Sequence, residues 1–249
     1  MNYEILEKKI LNFIIQKVQN AHAKGVIFGL SGGIDSALVA SLCVRALKQD
    51  CFALLMPTDL SDSNNLKDAI KLCESLNLKH KIINIQEILD TFIKQSQTPD
   101  KLRIGNLAAR VRMSLLYDYS ALLKFLVVGT SNKSELLLGY GTIYGDLACA
   151  FNPIGSLYKS EIFEFASFLN LPKEFIQKAP SADLWEGQSD EKELGFTYAR
   201  IDEVLKAFEV GDTRFLQDAD QKLVAMIEKR MKANEFKRKM PEILNLKEF

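Results

Sequence analysis

Apolar residues recur along this chain with two alternating periods. Over residues 3–23, Ile5, Leu6, Ile10, Phe13, Ile14 and Val18 fall near helical spacing, which predicts an amphipathic helix. Residues 26–30 form a short apolar run suited to a buried parallel strand. Ser31-Gly32-Gly33 then makes a turn, and residues 34–48 form a helical stretch that is apolar on nearly every side (Ala37, Leu38, Val39, Leu42, Val44, Leu47), so it is expected to be buried. The alternation repeats. Residues 51–56 predict a strand, 64–78 a helix with Leu66, Ala69, Ile70, Cys73 and Leu76 on one face, and 81–85 a strand. Residues 104–123 predict a longer helix with Leu107, Ala108, Val111 and Leu115 on one face, and 125–128 a strand ending at Gly129-Thr130. Strands alternating with helices predict an α/β fold, a three-layer, doubly wound parallel sheet with helices on both faces. Two polar stretches, 94–102 and 182–195, read as solvated surface loops or as lids that order over a substrate. The chain after Gly195 reads as helical and ends in a basic run over residues 229–239.

Bulk composition narrows the function classes. The 249 residues suffice for one large domain with a sizeable core. Lysine plus arginine count 32 and aspartate plus glutamate 32, so net charge gives no reason to expect a nucleic-acid or membrane partner. No apolar run is long enough to span a bilayer. Residues 1–19 are amphipathic, with Glu4, Glu7, Lys8 and Lys9 interspersed, unlike a signal peptide. A cytoplasmic location is the expectation. Cys43, Cys51, Cys73 and Cys149 form no C-x-x-C pair and read as small core residues. The only histidines, His22 and His80, sit in the leading helix and at a strand start, which makes a Ser-His-Asp hydrolase improbable.

The chemistry concentrates at Gly29-Leu30-Ser31-Gly32-Gly33-Ile34-Asp35-Ser36, which follows a strand and opens a helix. Glycines let the backbone approach an oxyanion closely, and free N–H groups at the helix start point at it. The hydroxyls of Ser31 and Ser36 add donors. Asp35 would repel a bare phosphate, so its carboxylate makes most sense holding a magnesium ion that bridges phosphates. No lysine follows Gly33, which excludes the G-x-x-x-x-G-K-[ST] class, and the G-x-G-x-x-G dinucleotide fingerprint is absent.

Ser31 to Ser36 resembles the S-G-G-x-D-S motif of the PP-loop ATP pyrophosphatases, which split ATP to AMP and pyrophosphate. Within that class, further segments are similar to ammonia-dependent NAD synthetases. They are Gly105-Asn106-Leu107-Ala108-Ala109-Arg110-Val111-Arg112-Met113, Gly129-Thr130-Ser131-Asn132-Lys133-Ser134-Glu135, Gly145-Asp146, and Asn152-Pro153-Ile154-Gly155 followed by Lys159. Pro180-Ser181-Ala182-Asp183-Leu184-Trp185 and Gln188-Ser189-Asp190-Glu191 complete the set, in the family's order. The resemblance implies an adenine-nucleotide alpha-hydrolase-like fold and a single domain over residues 1–249, without a glutaminase domain. It implies ATP binding by Gly29, Leu30, Ser31, Gly32, Gly33, Ile34, Asp35, Ser36, Thr130, Lys159 and Ser181, with Asp35 and Lys159 as catalytic candidates. Asp35 and Glu135 would ligate Mg2+, and Arg110, Asp146 and Lys237 would contact deamido-NAD.

The implied reaction adenylates the nicotinate carboxylate with ATP and then displaces AMP with ammonia, needing no protein nucleophile. A homodimer with no nucleic-acid or membrane partner is also implied. Glu135 follows an apolar strand and a polar turn, so it belongs near a strand's carboxyl end, on the same edge as Ser31. Three positions depart from the family pattern: Ile143 replaces a lysine, Ala150 an aspartate and Phe236 a histidine, all in the deamido-NAD part of the resemblance. A tRNA-thiolating enzyme is disfavoured by the neutral charge and the missing cysteine pair. A non-catalytic nucleotide-binding module, such as an electron-transfer flavoprotein subunit, is disfavoured by the presence of both Asp35 and Glu135.

Overall fold

The computed structural model describes residues 1–97, 100–181 and 189–244. In chain order the elements are α1 (Tyr3–Asn20), β1 (Gly25–Gly29), α2 (Ile34–Leu47), β2 (Cys51–Leu55), α3 (Ser63–Ser75), β3 (Lys79–Ile82), α4 (Gln86–Gln95), α5 (Lys101–Leu123) and β4 (Phe125–Val127). There follow α6 (Lys133–Leu138), α7 (Lys159–Phe168), α8 (Lys173–Ile176), α9 (Asp190–Leu194), α10 (Tyr198–Val210), α11 (Thr213–Asp218), α12 (Gln221–Ala233) and a 3-10 turn at Glu235–Arg238.

The strands form one parallel sheet in the order β3-β2-β1-β4. Val26 of β1 lies opposite Cys51, and Gly25 lies opposite Phe125 on the other edge. Side chains alternate between the two faces, as a pleated strand requires. Val26 and Phe28 pack with Ile14, Leu38, Leu72 and Phe165 from α1, α2, α3 and α7. Ile27 and Leu54 face the other way and pack with Leu89 of α4 and with Val111 and Leu116 of α5. Both faces are therefore covered, which gives the expected three layers. The all-round apolar sequence of α2 fits its burial, unbroken from Ser36 to Cys43. A third cluster joins α6, α10 and α12 through Leu138, Tyr198, Ile201 and Ile227.

Two predicted boundaries shift. The strand expected over 81–85 is β3, Lys79–Ile82, which starts two residues earlier and ends three residues earlier, with Lys79 opposite Phe52. Leu78 is drawn back into the core by its N–H bond to the Cys73 carbonyl at 2.8 Å, so the chain is already extended at Lys79. The apolar residues after β3 instead lead into α4, an element the expectations lack. The Asn84 side chain accepts from the Gln86 N–H at 2.8 Å and turns the chain into that helix. The polar stretch 94–102 is shortened accordingly: α4 runs to Gln95, and Asp100 caps α5 by accepting from the Arg103 N–H at 2.8 Å. Within 182–195, residues 182–188 lie outside the described residues, and Asp190–Leu194 is a short helix.

The topology places the site. From β1 the chain moves outward through β2 to β3, then returns to the opposite side of β1 for β4. The loops leaving β1 and β4 thus part on either side of a crevice at the carboxyl ends of the strands, the usual ligand position in open α/β sheets. Gly32 shapes the first of these loops. Its φ is +85°, and a Cβ there would sit 2.3 Å from the Asn65 carbonyl oxygen. Gly33 has φ −86° and would meet nothing nearer than the Ser31 Oγ at 3.4 Å. Gly32→Ala should therefore cost about 1–2 kcal/mol from the backbone alone, whereas Gly33→Ala should cost less than about 1 kcal/mol. Urea unfolding of the two variants checks this, and equal losses would contradict it.

Candidate active site

The turn after β1 ends at the first turn of α2, and no side chain caps that helix. Its first amides are left without intrahelical partners, which makes the helix start a ready anion acceptor. The serines brace the bend. Ser36 Oγ donates to the Gly33 carbonyl at 3.0 Å and accepts from the Ser31 N–H at 3.3 Å, while Ser31 Oγ accepts from the Gly33 N–H at 3.3 Å. Of the eight residues from Gly29 to Ser36, all but Gly32 and Ile34 line a cavity of about 630 Å3. Gly32 packs on Asn65 instead, and Ile34 is buried in the core.

Three charged side chains meet at the mouth of this turn. Lys159 opens α7, and the residue is only 2% exposed. Its Nζ donates to Asp35 Oδ2 in a short contact and to Glu135 Oε1 at 3.3 Å. Asp35 belongs to α2 and Glu135 to α6, so one ammonium ties the helices that follow β1 and β4. Asn132, fully buried, holds both acids in register: its Nδ2 donates to Asp35 Oδ1 at 3.0 Å, and its Oδ1 accepts from the Glu135 N–H at 3.0 Å. Glu135 completes a capping box by accepting from the Asn132 N–H. Tyr198 lies beneath, with its ring centroid 5.5 Å from Lys159 Nζ.

The electrostatics follow from burial. Loss of water pushes the Glu135 carboxyl up to about 8; Lys159 opposes this, and Asp35 and Asp190 add to it. For Lys159, burial is the largest influence and works downward, but Asp35 and Glu135 together outweigh it, so the ammonium is held charged. The cluster is thus one buried ammonium shared between the side chains of Asp35 and Glu135.

The other predicted residues divide. Thr130, Ser181, Asp146 and Lys237 line the same cavity as Asp35 and Lys159. Asp146 Oδ1 accepts from the Thr142 N–H at 2.8 Å, and Lys237 Nζ donates to the carbonyls of Gly139 and Gly141 at 2.8 and 2.9 Å. Arg110 is not brought to this cavity. It is exposed, its Nε donates to the Ile143 carbonyl at 3.3 Å, and it lines a smaller recess with Ser96 and Arg103. Arg112 takes the cavity wall, with Nε donating to the Met56 carbonyl at 3.0 Å. Two residues on a helix are about 200° apart, so only one of these arginines can face the crevice. The motif residues 182–188 lie outside the described residues.

Two supports went unnoticed in the sequence. Asn132 lies within the Gly129–Glu135 segment, where the resemblance assigns it no role. Lys178, two residues before Pro180, donates to Asp68 Oδ2 and Asn65 Oδ1 at 2.8 Å each and to the Gly32 carbonyl at 3.3 Å. It pins the Ser31 turn to α3. Neither contact has a periodic signal, because each joins segments far apart in the chain. His22 and His80 are absent from the cavity wall.

Comparison with known proteins agrees with this geometry. The family model described as NAD synthase matches residues 6–241. A relative from Campylobacter jejuni, named NH(3)-dependent NAD(+) synthetase, is 64% identical over 246 residues, covering 99% of this chain and 100% of its own. A solved NH3-dependent NAD synthetase from the same species, in complex with nitrate, superposes with TM-score 0.88 at 58% identity, covering 98% of this chain and 100% of that one. A solved NMN synthetase from Francisella tularensis superposes with TM-score 0.90 at 36% identity, covering 99% and 100%.

Removing one member of a buried ion cluster strands the others. Lys159→Met should destabilise the ligand-free protein by about 3–5 kcal/mol. Glu209→Gln, which breaks the partly exposed Lys133–Glu209 pair, should cost no more than about 1 kcal/mol. Denaturant unfolding compares them, and similar losses would contradict the assignment of Lys159 as the shared internal cation.

Proposed function

We infer the reaction from the premise that this chain belongs to the NAD synthase family. It amidates deamido-NAD to NAD with ammonia and consumes ATP. The observation that carries this reading is the convergence of Asp35, Glu135 and Lys159 on the uncapped start of α2, inside one cavity that also reaches Asp146 and Lys237.

The roles of these residues are our proposal. The amides at the start of α2 receive the ATP phosphates, with the Ser31 and Ser36 hydroxyls and Thr130 and Ser181 along the same wall. Asp35 and Glu135 suit a hard divalent cation: two carboxylates already face one cationic position, and phosphate and water oxygens can fill the rest of the shell. Among the described residues, no cluster of three or more metal-ligating side chains competes for it. Asp35 and Glu135 would hold magnesium there, and it would supply charge neutralisation for the departing pyrophosphate. Lys159, whose ammonium stands at the same place, would offset charge developing at the α-phosphate.

The nicotinate carboxylate attacks the α-phosphorus, and the bond to pyrophosphate breaks. Ammonia then attacks the acyl carbon, the bond to AMP breaks, and the surplus proton leaves with solvent. Asp146 and Lys237 hold the deamido-NAD side of the cavity, and Arg110 contacts that substrate from the outer recess. The chain acts as one domain on free ammonia. A homodimer and a cytoplasmic location complete the reading.

Incubation with ATP, magnesium, ammonium and deamido-NAD tests the reaction. NAD, AMP and pyrophosphate should appear in equal amounts, and ADP with phosphate would contradict the reading. Nicotinate mononucleotide belongs in the same assay, because the Francisella neighbour is named for a mononucleotide product. Deamido-NAD should be the faster acceptor; the reverse order would overturn the substrate assignment alone.

A further inference from the structure

Asp202 interrupts the buried stripe of α10. It lies beside Tyr198, Ile201 and Leu205 and is 1% exposed. No ion pair among the described residues neutralises it, and Lys206, one turn on, reaches towards Glu161 instead at 3.6 Å. A buried carboxylate without a cation is costly unless hydrogen bonds satisfy it. Asp202 has such bonds, and they all run to the first turns of two helices. Its Oδ1 accepts from Ser134 Oγ at 2.5 Å, and its Oδ2 accepts from the Ser160 N–H at 2.8 Å. Ser134 Oγ in turn accepts from the Lys159 N–H at 2.9 Å. The first two amides of α7 are therefore satisfied by a carboxylate and a hydroxyl from other helices. Burial raises the Asp202 carboxyl, and the bonds from Ser134 and Ser160 oppose that rise.

The neighbours in sequence give this arrangement its meaning. Ser134 precedes Glu135 and Ser160 follows Lys159. Fixing Ser134 and the backbone of 159–160 to one carboxylate sets how far the start of α6 stands from the start of α7. That spacing determines where the Lys159 ammonium sits relative to Glu135. We propose that Asp202 is a positioning residue for the amidation reaction, holding Glu135 and Lys159 in register from behind through Ser134 and the Ser160 amide. The proposal rests on the reading given under Proposed function. Asp202 does not line the cavity. It supplies the distal end of a chain that runs from α10 through Ser134 to the charged cluster.

Asparagine at this position loses the charge and cannot accept from both partners, so the short bond from Ser134 is lost or reversed. Asp202→Asn should lower kcat for NAD formation at least tenfold while leaving KM for deamido-NAD within twofold. Ser134→Ala, which removes the hydroxyl link, should show the same split with a smaller loss. The double variant should be no slower than Asp202→Asn alone, since both changes cut one chain. Val204→Ala, on the same helix in the same core cluster, controls for stability and should keep its kcat. Folded fraction at the assay temperature is measured for each by circular dichroism. If Asp202→Asn does not fold, Ser134→Ala decides: a fall in kcat at unchanged KM supports the proposal, and full kcat overturns it. Full kcat in a folded Asp202→Asn, losses that multiply in the double variant, or an equal fall in Val204→Ala would also overturn it. Failure of the wild-type chain to form NAD would instead defeat the reaction assignment, so the two failures are distinguishable.

Discussion

The structure turns on one buried cation shared by two acids. Lys159 is withdrawn from water, which by itself disfavours its charge, and it is kept charged by Asp35 and Glu135. The three side chains come from helices that follow three different segments of the fold, so the pairing is also a tertiary constraint. Once it is satisfied, the turn after β1, the turn after β4 and the start of α7 cannot drift independently. The same constraint defines the chemistry. A site that already holds a cation between two carboxylates is organised to exchange charge with an incoming polyanion and its counter-ion.

The polar supports around this cluster explain why it stays in place. Asn132 fixes both acids from one side, and Lys178 ties the Gly32 carbonyl to α3 from another. The serine hydroxyls hold the bend without consuming the amides at the start of α2. Other helices of the chain, such as α1, α3, α5 and α12, are capped by Asn or Asp side chains. The helix start facing the cavity is left open, which costs stability locally and leaves donors for a ligand.

Much of this was legible in the chain itself. The apolar runs of β1 and β2 and the all-round apolar α2 require a sheet covered on both faces, and local periodicity suffices to see that. The Ser31–Ser36 segment is equally local, so its place at a strand end followed from the order of elements. Contacts between distant segments were harder to see. Lys159 stands out in sequence only through its resemblance to a family segment, and its burial and its pairing across 124 residues with Asp35 have no local signal. Arg110 and Arg112 are interchangeable by pattern, and helix rotation against the sheet chose Arg112. The helix α4 was missed because the apolar residues before it mimic a strand. Asp202 carried a readable signal, an acid on an apolar stripe, but its partners belong to other helices.

The central claim is that the position between Asp35 and Glu135 belongs to a cation and that nucleotide phosphates gather over the Ser31 turn. A crystal structure with a nonhydrolysable ATP analogue and Mn2+ addresses it directly, because manganese is located by its anomalous signal. The account predicts an anomalous peak ligated by Asp35 and Glu135, with phosphate oxygens on the amides at the start of α2 and Lys159 directed towards the α-phosphate. A peak elsewhere in the cavity, or phosphates bound away from that turn with Lys159 still paired to both acids, would contradict it.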